Sequence, residues 1–280
     1  MKTLSCIIPV YGLSMGSNRE YFKHLLKSIT VASAKHLQHI EIVFVNDDPL
    51  QIEKAEIDNI LLEVGYQGKI VYHQNKENKG QAYSRNIGIA LATSKYLHII
   101  DQDDYISENF YDCFFSASES ELYISTPYFN INDSFIKKAY TPLLPFVYSI
   151  PRTVSSLWFL LASNVAYSPG QVIFSKTLID KAGGFPILNY KGSDDYGLFY
   201  NIVFKTHASF EYLYKCKFYY RNHTQQNSKL CDMQASVAEF LLSVNYGTIR
   251  ERIIHSLKLD RKCHLLNKII YVLFFRRVVL

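Results

Sequence analysis

Short, nearly unbroken apolar runs alternate with segments whose apolar residues recur three and four positions apart. The runs are "TLSCIIPV" (3–10), "HIEIVFVN" (39–46), "KIVYHQ" (69–74) and "KYLHII" (95–100). Between them, 19–34, 52–65 and 80–93 carry helical spacing, the second ending at Gly65. This β-α-β-α-β-α-β order predicts a mostly parallel sheet with helices on both faces, an α/β fold of Rossmann-like character. In such sheets ligands bind beyond the carboxyl ends of the strands. Each predicted strand ends in polar residues: Tyr11, then Asn46-Asp47-Asp48, then Asn75 to Asn78, then Asp101 to Asp104.

The second half is less regular. Residues 128–155, rich in Pro, Ser and Tyr, read as a long connection, and 170–186 as strand, helix and glycine-rich turn. Residues 193–206 read as a helix opened by Ser-Asp-Asp, 208–221 as extended chain and 230–258 as helical.

"DQDD" concentrates three carboxylates where a buried strand leaves its sheet. Asp104 or Ser107 could cap a helix through "ENFYDCFF". Capping leaves Asp101 unexplained, and Asp101 and Asp103 on extended chain point the same way. A hard divalent ion held by one or two carboxylates and a substrate's phosphates fits that pattern. No glycine-rich phosphate loop follows the first strand, since "PVYGLSMGS" has neither usual spacing. "NDD" (46–48) offers acceptors for a base or ribose, or a plain turn before a helix. Arg85 either balances the acids or reaches a phosphate. Asp194 and Asp195 in "KGSDDYG" are either helix-start residues or the place of a general base. His223, taken alone, reads as a surface histidine before it reads as a ligand.

The whole chain of 280 residues carries a net charge of +5, and 261–280 contribute Arg261, Lys262, Lys268, Arg276 and Arg277 with no acid. The segment is centred on "IIYVLFF", too short to span a bilayer. It suits a helix on an anionic inner-leaflet surface or one packed on the protein. Five scattered cysteines without a C-x-x-C pair predict reduced thiols and a cytoplasmic protein. The first ten residues read as strand rather than leader. No nucleic-acid partner is expected, and the oligomeric state is open.

Five segments in order resemble glycosyltransferase family 2: "LSCIIPVYG", "EIVFVNDDP", "NKGQAYSRNIGIALATSKYLHIIDQDD", "DKAGGFP … GSDDYGL" and "YYRNHTQQNS". The resemblance runs to about residue 228 and implies a GT-A fold. A GT-A domain over 1–228, with a nucleotide-binding half (1–105) and an acceptor-side half (106–228), would precede a helical extension (229–280). It implies a metal-dependent, inverting, nucleotide-sugar-dependent transferase. Pro9, Val10, Tyr11, Asn46, Asp47, Asn78, Gly80, Arg85, Asp101 and Gln102 would then serve the donor. Asp103 and His223 would hold Mn²⁺ or Mg²⁺, Gly184 and Asp194 would lie on the acceptor side, and Asp195 would be the base. Asn46 stands in place of the family's first acid, Asp48-Pro49 in place of Gly-Ser, and Asp194 in place of Glu. Without a Gln-x-x-Arg-Trp motif, single sugar addition to a glycan or lipid-linked glycan is expected. The competing expectations are a sugar-1-phosphate nucleotidyltransferase and a non-catalytic nucleotide-sugar-binding member of a glycan-assembly complex.

Overall fold

The structure, a computed structural model, describes residues 1–50, 54–131, 135–138, 165–190, 192–223 and 232–244. The first half follows the predicted alternation: β1 (Leu4–Val10), α1 (Asn18–Ser33), β2 (Ile40–Asn46), α2 (Lys54–Val64), β3 (Lys69–Gln74), α3 (Gln81–Leu91) and β4 (Tyr96–Ile99). Then come β5 (Tyr105–Ile106), α4 (Phe110–Ser116), β6 (Leu122–Ile131), β7 (Phe135–Lys138), β8 (Val172–Ser175), α5 (Lys176–Ala182), α6 (Asp194–Lys205), β9 (Phe210–Asn222) and α7 (Met233–Ser243).

These strands form one sheet in the order β3-β2-β1-β4-β8-β6-β9-β5, with β7 paired to β6. The β3-β2-β1-β4 half is parallel, and β8 joins antiparallel on both of its sides. Alternate residues of β1 and β2 enter two different cores. Ile7, Val43 and Val45 pack with residues of α5 and α6 on one face. Cys6, Ile8, Ile42 and Phe44 pack with residues of α1, α2 and α4 on the other. A sheet covered on both faces needs apolar residues at both parities, which is why these strands read as continuous runs. Gly88 lets α3 settle on β1, because a Cβ there would lie 2.3 Å from Ile7 Cγ2.

The expected long connection over 128–155 is corrected at its start. Residues 128–131 belong to β6 and 135–138 to β7. Pro127 concealed the strand. It sits where β8 has stopped pairing, opposite Ile124, and β7 has not yet begun, opposite Tyr128, so no hydrogen bond is missed on that side. β9 runs parallel to β6 with a bulge between Leu213 and Lys217. Past the bulge it takes Tyr105 and Ile106 as its second neighbours, bringing Arg221 to the turn after β4. The expected helix at 230–258 is seen over Met233–Ser243; the rest of it, and the basic stretch 261–280, lie outside the described residues. No helix of the described residues is long and apolar enough to cross a membrane.

Candidate active site

The carboxyl ends of β1, β2, β3 and β4 bring together the predicted donor residues, each held differently. Asp47 accepts from Asn75 Nδ2 (2.8 Å), Lys79 N (3.1 Å) and Gly80 N (2.7 Å), so it anchors the β3–α3 loop. Gly80 has φ +87° and ψ 169°, a conformation open mainly to glycine, and this aims its N–H at the carboxylate. Asn46 is buried. Its amide donates to Gln74 Oε1 (3.0 Å), and its Oδ1 accepts from Asp48 N (2.9 Å). An aspartate there would set a carboxylate against the Gln74 carbonyl, which accounts for asparagine at this position.

Tyr11 is 42% exposed and Pro9 partly so, whereas the Val10 side chain belongs to the core and its carbonyl accepts from Asp47 N. Gln102 closes a reciprocal pair with the Tyr11 backbone, Oε1 accepting from Tyr11 N and Nε2 donating to Tyr11 O, both 2.9 Å. It therefore ties the end of β1 to the turn after β4. Asn78 is exposed in the loop before α3.

Arg85 links the turn after β4 to the start of α6. Its side chain is 3% exposed; Nη2 meets Asp101 Oδ1 at 2.6 Å, and Nη1 bonds Asp194 Oδ2. Gln81 adds a 2.7 Å bond to Asp101. Burial works against the guanidinium's charge, but the two carboxylates hold its pKa above the ordinary arginine value. Next to Asp194, the Asp195 carboxyl is raised to about 7. Burial is the main cause, the Asp194 charge adds to it, and Arg85 opposes it. Its Oδ1 accepts from Tyr196 N at 2.7 Å. Gly184, at φ +71°, presses on Asn86 of α3, and Asn86 in turn exchanges bonds of 2.8 and 2.9 Å with the Phe185 backbone. This fixes the glycine turn to α3.

Asp103 and His223 meet with Oδ2 and Nε2 2.8 Å apart. Asp104 is not the helix cap that its position suggested. It is 1% exposed, and its Oδ1 accepts from Arg221 N (2.9 Å) 117 residues away. Burial and the neighbouring Asp103 and Asp101 charges raise its pKa well above the ordinary value. Asn109 is the residue before α4 instead, without a side-chain cap bond.

Arg221 is the organising residue that reading the sequence overlooked. Besides the bond to Asp104, its Nε donates to the Asp103 carbonyl (2.8 Å), and Nη2 meets His24 Nδ1 (2.8 Å). Its guanidinium lies 4.3 Å from the Tyr21 ring centroid. The available signal was its place in the family-like segment "YYRNHTQQNS", as the arginine of a Tyr-Arg-x-His stretch.

At the opposite end of the sheet a cleft of about 620 Å³ is lined by Lys35, Glu41, Lys69 and Ser94 among others. Glu41 there already meets Ser5, Thr93 and Lys69, so its carboxylate holds strands together.

Residues 5–165 match the model of glycosyl transferase family 2. The chain belongs to glycosyltransferase family 2. This family-2 chain is 24% identical over 134 residues to glycosyltransferase GlyG of Streptococcus pneumoniae serotype 4, covering 47% of this chain and 40% of that one. It is 29% identical over 121 residues to the minor teichoic acid biosynthesis protein GgaB of Bacillus subtilis, covering 42% and 12%. The matched regions thus span well under half of these curated relatives. Among solved structures, S. aureus TarS 1–349 in complex with UDP-GlcNAc superposes at TM-score 0.63, with 16% identity over 97% of this chain and 76% of that one. The mannosyltransferase PcManGT of Pyrobaculum calidifontis, with GDP-Man and Mn²⁺, gives 0.62 and 12% over 95% and 71%. At these identities the likeness establishes the GT-A fold of the family-2 chain.

Proposed function

We propose that this glycosyltransferase is divalent-metal-dependent and inverting. It moves one sugar from a nucleotide-diphosphate sugar to a hydroxyl of a glycan or lipid-linked glycan in bacterial-type surface polysaccharide assembly. One observation carries the reading: Arg85 joins Asp101, at the strand ends, to Asp194, beside the carboxyl of raised pKa on α6.

Tyr11 and Pro9 offer the exposed wall for the base, while the loop anchored by Asp47 closes beside it. Asp101, oriented by Gln81 and Arg85, would accept from the ribose. For the metal, Asp103 and His223 converge as an oxygen and a nitrogen donor. Among the described residues no group of three or more His, Cys, Asp or Glu side chains gathers. A set of one carboxylate and one imidazole leaves the remaining positions to phosphate oxygens and water, and the carboxylate and phosphate oxygens suit Mg²⁺ and Mn²⁺ alike. Bound there, the ion would offset the negative charge that grows on the leaving diphosphate. Asp195 would take the proton from the acceptor hydroxyl as its oxygen attacks the anomeric carbon from the face opposite the diphosphate, inverting that centre. A carboxyl with a pKa near the working pH is suited to that transfer.

The molecules bound in the neighbours support the donor and metal parts of this reading: UDP-GlcNAc with TarS, GDP-Man and Mn²⁺ with PcManGT. The teichoic-acid role of GgaB supports a surface-polymer acceptor. Free thiols at Cys6, Cys113 and Cys216 agree with work at the cytoplasmic face. The test is to incubate the chain with a panel of nucleotide-sugars, Mn²⁺ and lipid-linked acceptors, and to identify the products. Nucleoside diphosphate release that requires the ion supports the proposal. Pyrophosphate would make the chain a nucleotidyltransferase, and nucleotide-sugar binding without any product would make it a non-catalytic member.

A further inference from the structure

The segment leading into α6 is held from outside by α7, beyond the region that matches the family model. Glu239 accepts three bonds from it: Asn189 N at 2.9 Å, Asn189 Nδ2 at 2.6 Å and Tyr190 N at 2.9 Å. One turn earlier on α7, Ser236 Oγ accepts from Ser193 N at 3.2 Å. Phe240 docks α7 on α6, its ring 5.4 Å from that of Tyr200 and 6.2 Å from that of Tyr196. The fit at Gly197 is close, because a Cβ there would lie 2.4 Å from Pro186 Cγ and 3.0 Å from Phe240 Cδ2. Leu188 packs against the core, but Ile187 (61%) and Tyr190 (55%) are exposed, and polar bonds from α7 hold the segment beyond Leu188.

We propose that α7 is a positioning element for the acceptor side, with Glu239 the positioning residue that, by holding Asn189 and Tyr190 while Ser236 holds Ser193, sets the first turn of α6 bearing Asp194 and Asp195. The inference rests on the reading of Asp195 as base. Glu239 touches neither the donor residues nor Asp195. Its effect would come from keeping that carboxyl shielded from water and aimed along one line. The charged groups facing Asp195 are Asp194 on its own helix, Arg85 from α3 and Asp101 after β4. Arg85 and Asp101 are bonded to each other and Asp101 to Gln81 without Glu239, whereas Asp194 shares the first turn with Asp195.

The test compares wild type with Glu239→Ala and with Glu239→Gln, which keeps one accepting oxygen. Hydrogen exchange of the full chain should rise at Asn189–Tyr196 in Glu239→Ala, less so in Glu239→Gln, and stay unchanged in β1 to β4. In the transfer assay kcat should fall about 10- to 100-fold, and its acid limb should move to lower pH as water reaches Asp195. Binding of uridine or guanosine diphosphate with Mn²⁺ should stay as in wild type. Unchanged exchange overturns the proposal, and so does raised exchange with kcat and acid limb as in wild type. A wild type without transferase activity would overturn the proposed function. The exchange data would then decide the clamp alone: a rise reaching the first turn of α6 upholds it, and one confined to Asn189 and Tyr190 overturns it.

Discussion

If Asp195 removes the acceptor proton, acidification should silence the enzyme well above the pH at which an ordinary aspartate titrates. Its carboxyl is raised to about 7, so the ionised fraction falls about tenfold for each pH unit below that value. At about pH 5.5 only about 3% of the sites hold the base, and kcat should be about 30-fold below its plateau. The assay is nucleoside diphosphate release at saturating donor, acceptor and Mn²⁺ across a buffer series of constant ionic strength. Nucleotide binding measured at each pH separates lost chemistry from lost donor. The same shift has a stability consequence of opposite sign. Folded Asp195 keeps its proton to about 7, an unfolded aspartate only to about 3.9. The folded state therefore binds more protons in that window, and stability falls as pH rises through it. Asp195→Asn should accordingly stabilise the chain above pH 7, by at most about 4 kcal/mol, an upper bound for a carboxyl that is still partly exposed. A kcat profile flat down to about pH 5 would refute the reasoning.

Three further outcomes follow from the geometry. Arg85→Met leaves Asp101 and Asp194 facing each other without a cation; breaking such a buried pair costs about 3–5 kcal/mol, about 6–20 °C in thermal midpoint. It should also move the acid limb of kcat upward, while Arg85→Lys, which cannot span both partners as a fork, should fall between. Glu41, held down to about 2 by Lys69, Ser5 and Thr93 against the effect of burial, contributes stability that is present above its unfolded value and lost as pH falls through about 2. Glu41→Gln should therefore cost about 3 kcal/mol in denaturant melts at neutral pH and nothing near pH 2. Gly88→Ala drives a methyl onto Ile7, and the same melts should show a loss of about 1–3 kcal/mol.

The parallel half was legible because its strands are buried on both faces and its helices carry period-3.6 spacing; both signals lie within short windows. The strand-end acids were legible for the same reason, since a sheet of this kind collects polar residues at one edge. β6 was not, because Pro127 argues against a strand until the gap between β8 and β7 is known. Asp104 read as a cap because capping is local, whereas its partner Arg221 comes from a strand that reaches it only after a bulge. Arg221 itself, between tyrosines and an asparagine, has the appearance of a surface residue; only the fold shows it gathering Asp103, Asp104 and His24. The glycines fall between these cases. Gly80 marked a turn, but that its N–H faces Asp47 depends on two strands lying side by side.

Asp195→Asn tests the role of this carboxylate as base most directly. Nucleotide binding with Mn²⁺ should equal that of wild type, because the substitution leaves the strand-end residues untouched, while transfer to the acceptor should fall about 10²- to 10⁴-fold. Transfer at the wild-type rate by this variant would contradict the account.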